Sequence, residues 1–141
     1  MERKWLPEDT VELNLGMEPM FVTSNPRIDA TRGCLAIQRG PIVYCLEDMD
    51  QEIKGRLLDV EIEKNKPLIT RWEGGLLDGM MMVEAGGQYI DRDAWRGYLY
   101  RPAAFPVRET AHPARLIAIP YYAWGNRQIG GMRVWIPEKK S

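Results

Sequence analysis

The chain predicts an all-β fold: an antiparallel β-sandwich, jelly-roll-like, built from about nine short strands. Three observations carry that expectation. Apolar residues recur at every second position in several segments, the period of a strand with one buried face. Ten prolines and thirteen glycines break the chain at short intervals. No segment keeps a helical period for about ten residues without meeting a breaker, and Glu47 to Leu57 is the best helical stretch. At 141 residues the chain is one domain in size, able to bury roughly two-thirds of its unfolded surface.

The elements follow in order. Val11, Leu13, Leu15 and Met17 alternate with Glu12, Asn14 and Gly16, which predicts a first strand, and Met20 to Thr23 predicts a second. Residues 34–38 and 42–46 flank Arg39-Gly40-Pro41, which predicts a hairpin. A two-residue Arg39-Gly40 turn sets Leu35 opposite Tyr44, Ile37 opposite Ile42 and Cys34 opposite Cys45, with Pro41 opening the second strand and both thiols free. Leu35, Ile37, Ile42 and Tyr44 then share the core face. Leu58, Val60 and Ile62 alternate with Asp59, Glu61 and Glu63, an arrangement suited to an edge strand with a wet face. Later strands are expected at Leu68 to Trp72, Met80 to Glu84, Trp95 to Arg101, Arg115 to Ile119 and Met132 to Ile136. Turns separate them at Gly74-Gly75, Gly86-Gly87, Phe105-Pro106, His112-Pro113 and Gly130-Gly131.

Composition excludes several functions. A formal net charge of −1 gives no pull toward nucleic acid or a membrane surface, and no apolar run approaches the ~20 residues of a membrane-spanning helix. The arginines from Arg92 to Arg133 are spaced among apolar residues, as on an ion-paired sheet face. Two cysteines and one histidine, His112, are too few for a disulfide scaffold or a multi-histidine metal centre. The start, Met1-Glu2-Arg3-Lys4-Trp5, lacks the apolar core of a signal peptide, which favours a cytoplasmic setting for this piece and says nothing of a longer parent.

No catalytic constellation stands out. Ser24 and Ser141 lack nucleophile-elbow glycines. Cys34 and Cys45 lie in apolar strands, where thiols are inert. Carboxylates are plentiful, but none forms the isolated pair that glycoside hydrolysis uses, and Glu47-Asp48-Met49-Asp50 reads as a solvated turn. Aromatic side chains are the stronger signal. Tyr121, Tyr122, Trp124, Asn126 and Arg127 crowd into seven residues after Pro120. Trp135 is out of phase with Met132, Val134 and Ile136, so it is expected on the opposite sheet face. Tyr, Trp and Arg are enriched at the energetic centres of interfaces, and flat rings also stack on sugars. These six residues are therefore the candidates for an interface or a carbohydrate site.

The Arg39-to-Glu47 run, the Pro120-to-Arg127 run and the closing Met132-Arg133-Val134-Trp135-Ile136 resemble the C-terminal part of glycoside hydrolase family 127, the β-L-arabinofuranosidase-like enzymes. Trp5-Leu6-Pro7-Glu8-Asp9-Thr10-Val11-Glu12-Leu13 and Met17-Glu18-Pro19 are similar to the same family, while Lys54 to about Asp93 matches little. The resemblance implies a helical (α/α)6 catalytic barrel followed by β-sandwich domains. It also implies a zinc-bound cysteine nucleophile, further cysteine and glutamate ligands, and another glutamate as general acid/base. No position of this chain matches those motifs. The implied zinc therefore belongs to an absent catalytic domain, and no catalytic, metal or cofactor site is expected here. The expected role is a non-catalytic module whose partner is the parent's own barrel. A carbohydrate-binding module using surface aromatics, or an autonomous enzyme, are the alternatives. An uncovered docking face would also favour self-association.

Overall fold

The computed structural model describes residue 4 and residues 6–52, 56–105 and 107–140. Trp5, Lys54, Pro106 and Ser141, named above, lie outside the described residues, as do residues 53–55 of the helical candidate. Nine strands form among the described residues: β1 (Pro19–Thr23), β2 (Cys34–Arg39), β3 (Ile42–Glu47), β4 (Val60–Ile62), β5 (Ile69–Glu73), β6 (Met80–Asp91), β7 (Thr110–Pro120), β8 (Met132–Arg133) and β9 (Ile136–Pro137). They join in the order β1-β2-β3-β7-β6-β4, with β5 beside β6, β8 beside β3 and β9 beside β2. Every strand pair is antiparallel, and a parallel bridge from Ile62 to Glu138 ties β4 to the segment after β9. The sheet thus curls on itself, and the expected all-β sandwich is what the chain adopts.

Alternation along the strands builds two cores. Leu35, Ile37, Tyr44, Leu46, Val60, Ile62, Val83, Ala85, Leu116, Ala118 and Ile136 fill the interior, and Leu57 joins them from a 3-10 turn. The reverse face of the central strands carries Cys45, Met80, Met82, Ile117 and Ile119, closed over by Ala123. Tyr44 to Glu47 of β3 and Leu116 to Pro120 of β7 are buried on both faces, which is why those stretches read as nearly continuous apolar runs.

The hairpin forms with a different register. Ile37 pairs with Tyr44 and Arg39 with Ile42, so Gly40 and Pro41 are the two turn residues and Pro41 precedes the strand. Gly40 takes φ 56°, and a glycine at the first central position followed by proline suits a II′ turn. The shift moves each partner by two positions, so the side chains keep their faces. Leu35, Ile37, Ile42 and Tyr44 still point to the same core, but the cysteines do not face each other. The hairpin is split at its open end: β9 pairs with Cys34 and Leu35, while β8 pairs with Leu46 and Glu47. Cys34 lies opposite Pro137 and Cys45 opposite Ile119, and both thiols are free.

Other expectations are corrected. Residues 11–17 form no strand, and Val11, Leu13 and Leu15 are exposed. Trp95 closes a 3-10 turn and residues 96–101 are irregular, so no strand forms there. Arg101 folds back there to donate to the Ala94 carbonyl at 2.7 Å, its guanidinium 4.0 Å from the Tyr98 ring centre. Gly86-Gly87 and His112-Pro113 interrupt nothing: β6 and β7 run through both, with Gly87 opposite Ala114 and Gln88 opposite Pro113. Proline is tolerated because β3 pairs with β7 only from Ala118 onward, so Pro113 lacks a second neighbour to supply with a hydrogen bond. His112 is a strand residue stacked on Tyr89 rather than a loop residue. In Glu47 to Leu57 the described residues make 3-10 turns, not an α-helix. The carboxylates of Asp59, Glu61 and Glu63 pair with Arg56, Arg92, Lys66 and Lys139 across a partly covered face.

Candidate functional site

Pro120 ends β7, and Tyr121–Ala123 makes a single 3-10 turn that drops Ala123 onto the second core. Tyr121, Tyr122 and Trp124 are left facing outward. Trp124 is 41% exposed, which excludes a role as a core anchor. Its ring stacks on Tyr121 with centroids 6.1 Å apart and planes 28° from parallel. Gly125 takes φ 74°, a left-handed conformation that glycine adopts without a Cβ penalty, and the chain turns back there toward β3.

That return is held by charge. Arg127 donates through Nη1 and Nη2 to the two Asp50 carboxylate oxygens at 2.7 and 2.6 Å, and through Nη2 to Glu47 Oε2 at 2.5 Å. The Gly125 backbone N–H donates to Glu47 Oε1 at 3.1 Å. Glu47 has no solvent exposure, so its charge is acceptable only because both oxygens are satisfied. Hydrogen bonds to Asp50, then to Glu47, raise the Arg127 pKa against the opposing effect of burial. The same turn carries Gln51, whose amide accepts from the Ile117 N–H at 3.1 Å and donates to the Ile117 carbonyl at 2.9 Å. Gln51 thus extends the β7 ladder with a side chain. Glu47 and Gln51 are buried and residues 48–50 half-buried, so this stretch is a clasp rather than the solvated turn expected from its charges. A charged cluster beside a strand end looks identical in sequence whether water or an arginine some eighty positions away satisfies it.

Of the six candidate residues, the fold brings Tyr121, Trp124 and Trp135 to neighbouring positions. Tyr121 lines a shallow groove of ≈ 640 Å³ together with Ala30, Val43, Met132, Arg133, Val134 and Trp135. Trp135 does not lie on a face opposite Met132 and Val134, because the chain bends between β8 and β9. Met132 and Val134 serve the second core, and Ile136 serves the first. Tyr122 is exposed nearby, and Asn126 turns its amide back onto the Tyr122 and Trp124 carbonyls at 3.3 and 3.5 Å. Arg127 is spent on the clasp and offers little to a ligand.

The Cys45 thiol is not activated. Burial, then the Glu47 and Asp50 carboxylates, push Cys45 up to about 12, opposite to what a nucleophile or metal ligand needs. Among the described residues no three His, Cys, Asp or Glu side chains converge on a point where a metal ion would fit. No helix among the described residues is long and apolar enough to cross a membrane.

The comparisons agree with this architecture. Residues 19–137 match the glycoside hydrolase family 127 C-terminal domain. The chain is 34% identical over 132 residues to a non-reducing end β-L-arabinofuranosidase of Bifidobacterium longum subsp. longum, covering 90% of this chain and 20% of that enzyme. Among solved structures it resembles a family 127 β-L-arabinofuranosidase from Geobacillus stearothermophilus, with TM-score 0.75 and 36% identity over 87% of this chain and 18% of that one. A second family 127 β-arabinofuranosidase has TM-score 0.71 and 29% identity over 87% of this chain and 17% of its own. The chain spans about a fifth of these relatives' length. It belongs to glycoside hydrolase family 127, as that family's C-terminal domain.

Proposed function

We propose that this domain works as a docking module, resting its clasped aromatic loop against the catalytic barrel of a longer β-L-arabinofuranosidase-like enzyme, where the zinc site implied by the family would reside. The observation that carries this reading is the pairing of rigidity with exposure. Tyr121, Tyr122 and Trp124 stand in solvent on a loop that the Arg127 clasp fixes in place. Preorganised aromatics lose little conformational entropy on association and supply large contact areas.

A carbohydrate platform fits less well. Trp124 already has Tyr121 against its ring, and the guanidinium that would hydrogen-bond a sugar is committed to Glu47 and Asp50. Polar groups around the rings are needed to orient a sugar, and here Asn126 is turned onto the Tyr122 and Trp124 carbonyls while Arg133 donates to the Trp135 and Leu58 carbonyls.

The test replaces both Tyr121 and Trp124 with serine. The expected result is an unchanged unfolding midpoint for the domain, no titratable response to arabinose-containing oligosaccharides before or after substitution, and loss of binding to the upstream part of the Geobacillus enzyme. Saturable tryptophan quenching by an oligosaccharide, abolished in the variant, would replace docking with sugar binding. Concentration-dependent dimers abolished by the variant would make a second copy the partner.

A further inference from the structure

Residues 10–16 have the sequence of a strand and the surroundings of none. Val11, Leu13 and Leu15 are 66%, 76% and 60% exposed, and no strand among the described residues pairs with this segment. Space around it is open: a Cβ added at Gly16 would meet nothing within 4 Å. The segment nevertheless leaves the domain from a fixed point. The Met17 sulfur packs over the hairpin turn, 2.2 Å from where a Gly40 Cβ would stand, and β1 begins two residues later at Pro19. The segment also precedes the family-matched domain, which starts at residue 19.

The pattern identifies the kind of surface that is missing. Three apolar side chains at every second position fall on one side of an extended chain, about 7 Å apart. A segment that docked as a helix would carry its apolar residues three and four apart instead. Thr10, Glu12, Asn14 and Gly16 fall on the other side, so that face stays wet. The missing surface is therefore the open edge of an antiparallel sheet with one apolar face, the geometry of strand addition.

We infer that residues 10–16 form a strand belonging to a second sheet, and that the occupant of this segment is an exposed sheet edge in the rest of the full-length enzyme. Size decides between that occupant and a second copy of this chain. Pairing two seven-residue strands buries far less than the roughly 1,200–2,000 Å² of a stable dimer. Within one polypeptide the association entropy is already largely spent, and a short strand suffices. The inference shares with the proposed function only the premise that this domain acts inside a longer enzyme, and it uses a different surface.

Hydrogen exchange tests it on two intact proteins: the full-length Geobacillus relative and this 141-residue chain. Amides aligned with residues 10–16 should exchange about a hundredfold or more slowly than free peptide in the full-length enzyme, and at free-peptide rates in the isolated chain. Free exchange in the full-length enzyme overturns the inference. Protection in the isolated chain also overturns it: a second copy is the occupant if protection grows with concentration, and the domain's own sheet if it does not. Leu13→Asp supplies a second readout. It should leave the unfolding midpoint of the isolated chain unchanged and lower that of the relative when made at the aligned position. If the Tyr121/Trp124 variant keeps its binding while these amides are protected, docking through the loop fails and the added strand stands.

Discussion

Arg127 Nη2 meets Glu47 Oε2 at 2.5 Å, although 80 residues separate them along the chain. Glu47 closes β3, Arg127 follows the aromatic turn after β7, and the antiparallel pairing of β3 with β7 is what brings them together. The contact binds an exposed loop to a buried strand end, so its loss has two separable consequences.

Arg127→Ala should lower domain stability by about 3–5 kcal/mol, because it leaves the Glu47 charge buried without its partner. Arg127→Lys should recover only part of that loss, since an ammonium cannot reproduce the forked contact with Asp50. Urea unfolding of the three proteins measures the series. A loss below about 1 kcal/mol for the alanine variant would show that water can replace the guanidinium.

Two adjacent glycines in β6 should respond very differently to alanine. A Cβ on Gly87 would stand 2.6 Å from the Glu61 carbonyl oxygen and 2.6 Å from Leu116 Cδ1, neither of which can withdraw cheaply. A Cβ on Gly86 would stand 2.2 Å from Lys66 Cδ and 3.0 Å from Lys66 Cβ, and this half-exposed chain can move its outer atoms aside at the expense of its ion pair with Glu63. Gly87→Ala should cost about 1–3 kcal/mol or more, whereas Gly86→Ala should cost clearly less, because a flexible side chain rather than backbone has to yield. Thermal unfolding of the pair checks this. Equal effects would mean that the β4–β6 ladder relaxes around the added methyl.

The thiols should separate by reactivity. Cys34 is partly exposed and Cys45 is buried, so a disulfide reagent at pH 8 should label one equivalent quickly and the second only on unfolding. Burial raises Cys45 from 9.0 to about 12, so the folded state holds this proton more tightly than the unfolded chain does. Its contribution to stability is complete below about pH 9 and is lost as pH rises toward 12. Denaturation midpoints measured from pH 7 to 11 should fall in that upper range, and the fall should be shallower in Cys45→Ala. A flat alkaline profile would contradict the buried placement.

Several features were legible in the residues alone. The all-β class followed from period-2 patterning and dense glycine and proline, because those signals are local. The core face of the hairpin was legible for a further reason: a register error of two positions exchanges cross-strand partners without turning a side chain over. The aromatic loop after Pro120 was legible too, since it depends on residue type and spacing.

Other features needed the fold. The split of the β2–β3 hairpin depends on β8 and β9, which lie about ninety residues downstream, so no local rule assigns Cys34 to Pro137. Pro113 and Gly86-Gly87 look like breakers until it is known which sides of β6 and β7 are occupied. Glu47 and Asp50 look solvated until Arg127 arrives beside them. Val11, Leu13 and Leu15 look buried until the domain proves to have no surface for them. By itself the sequence determined periodicity, turn chemistry and the inventory of reactive groups, which are properties of neighbours along the chain. Only the tertiary structure decided partners, because burial and charge satisfaction depend on segments that meet after the chain has closed.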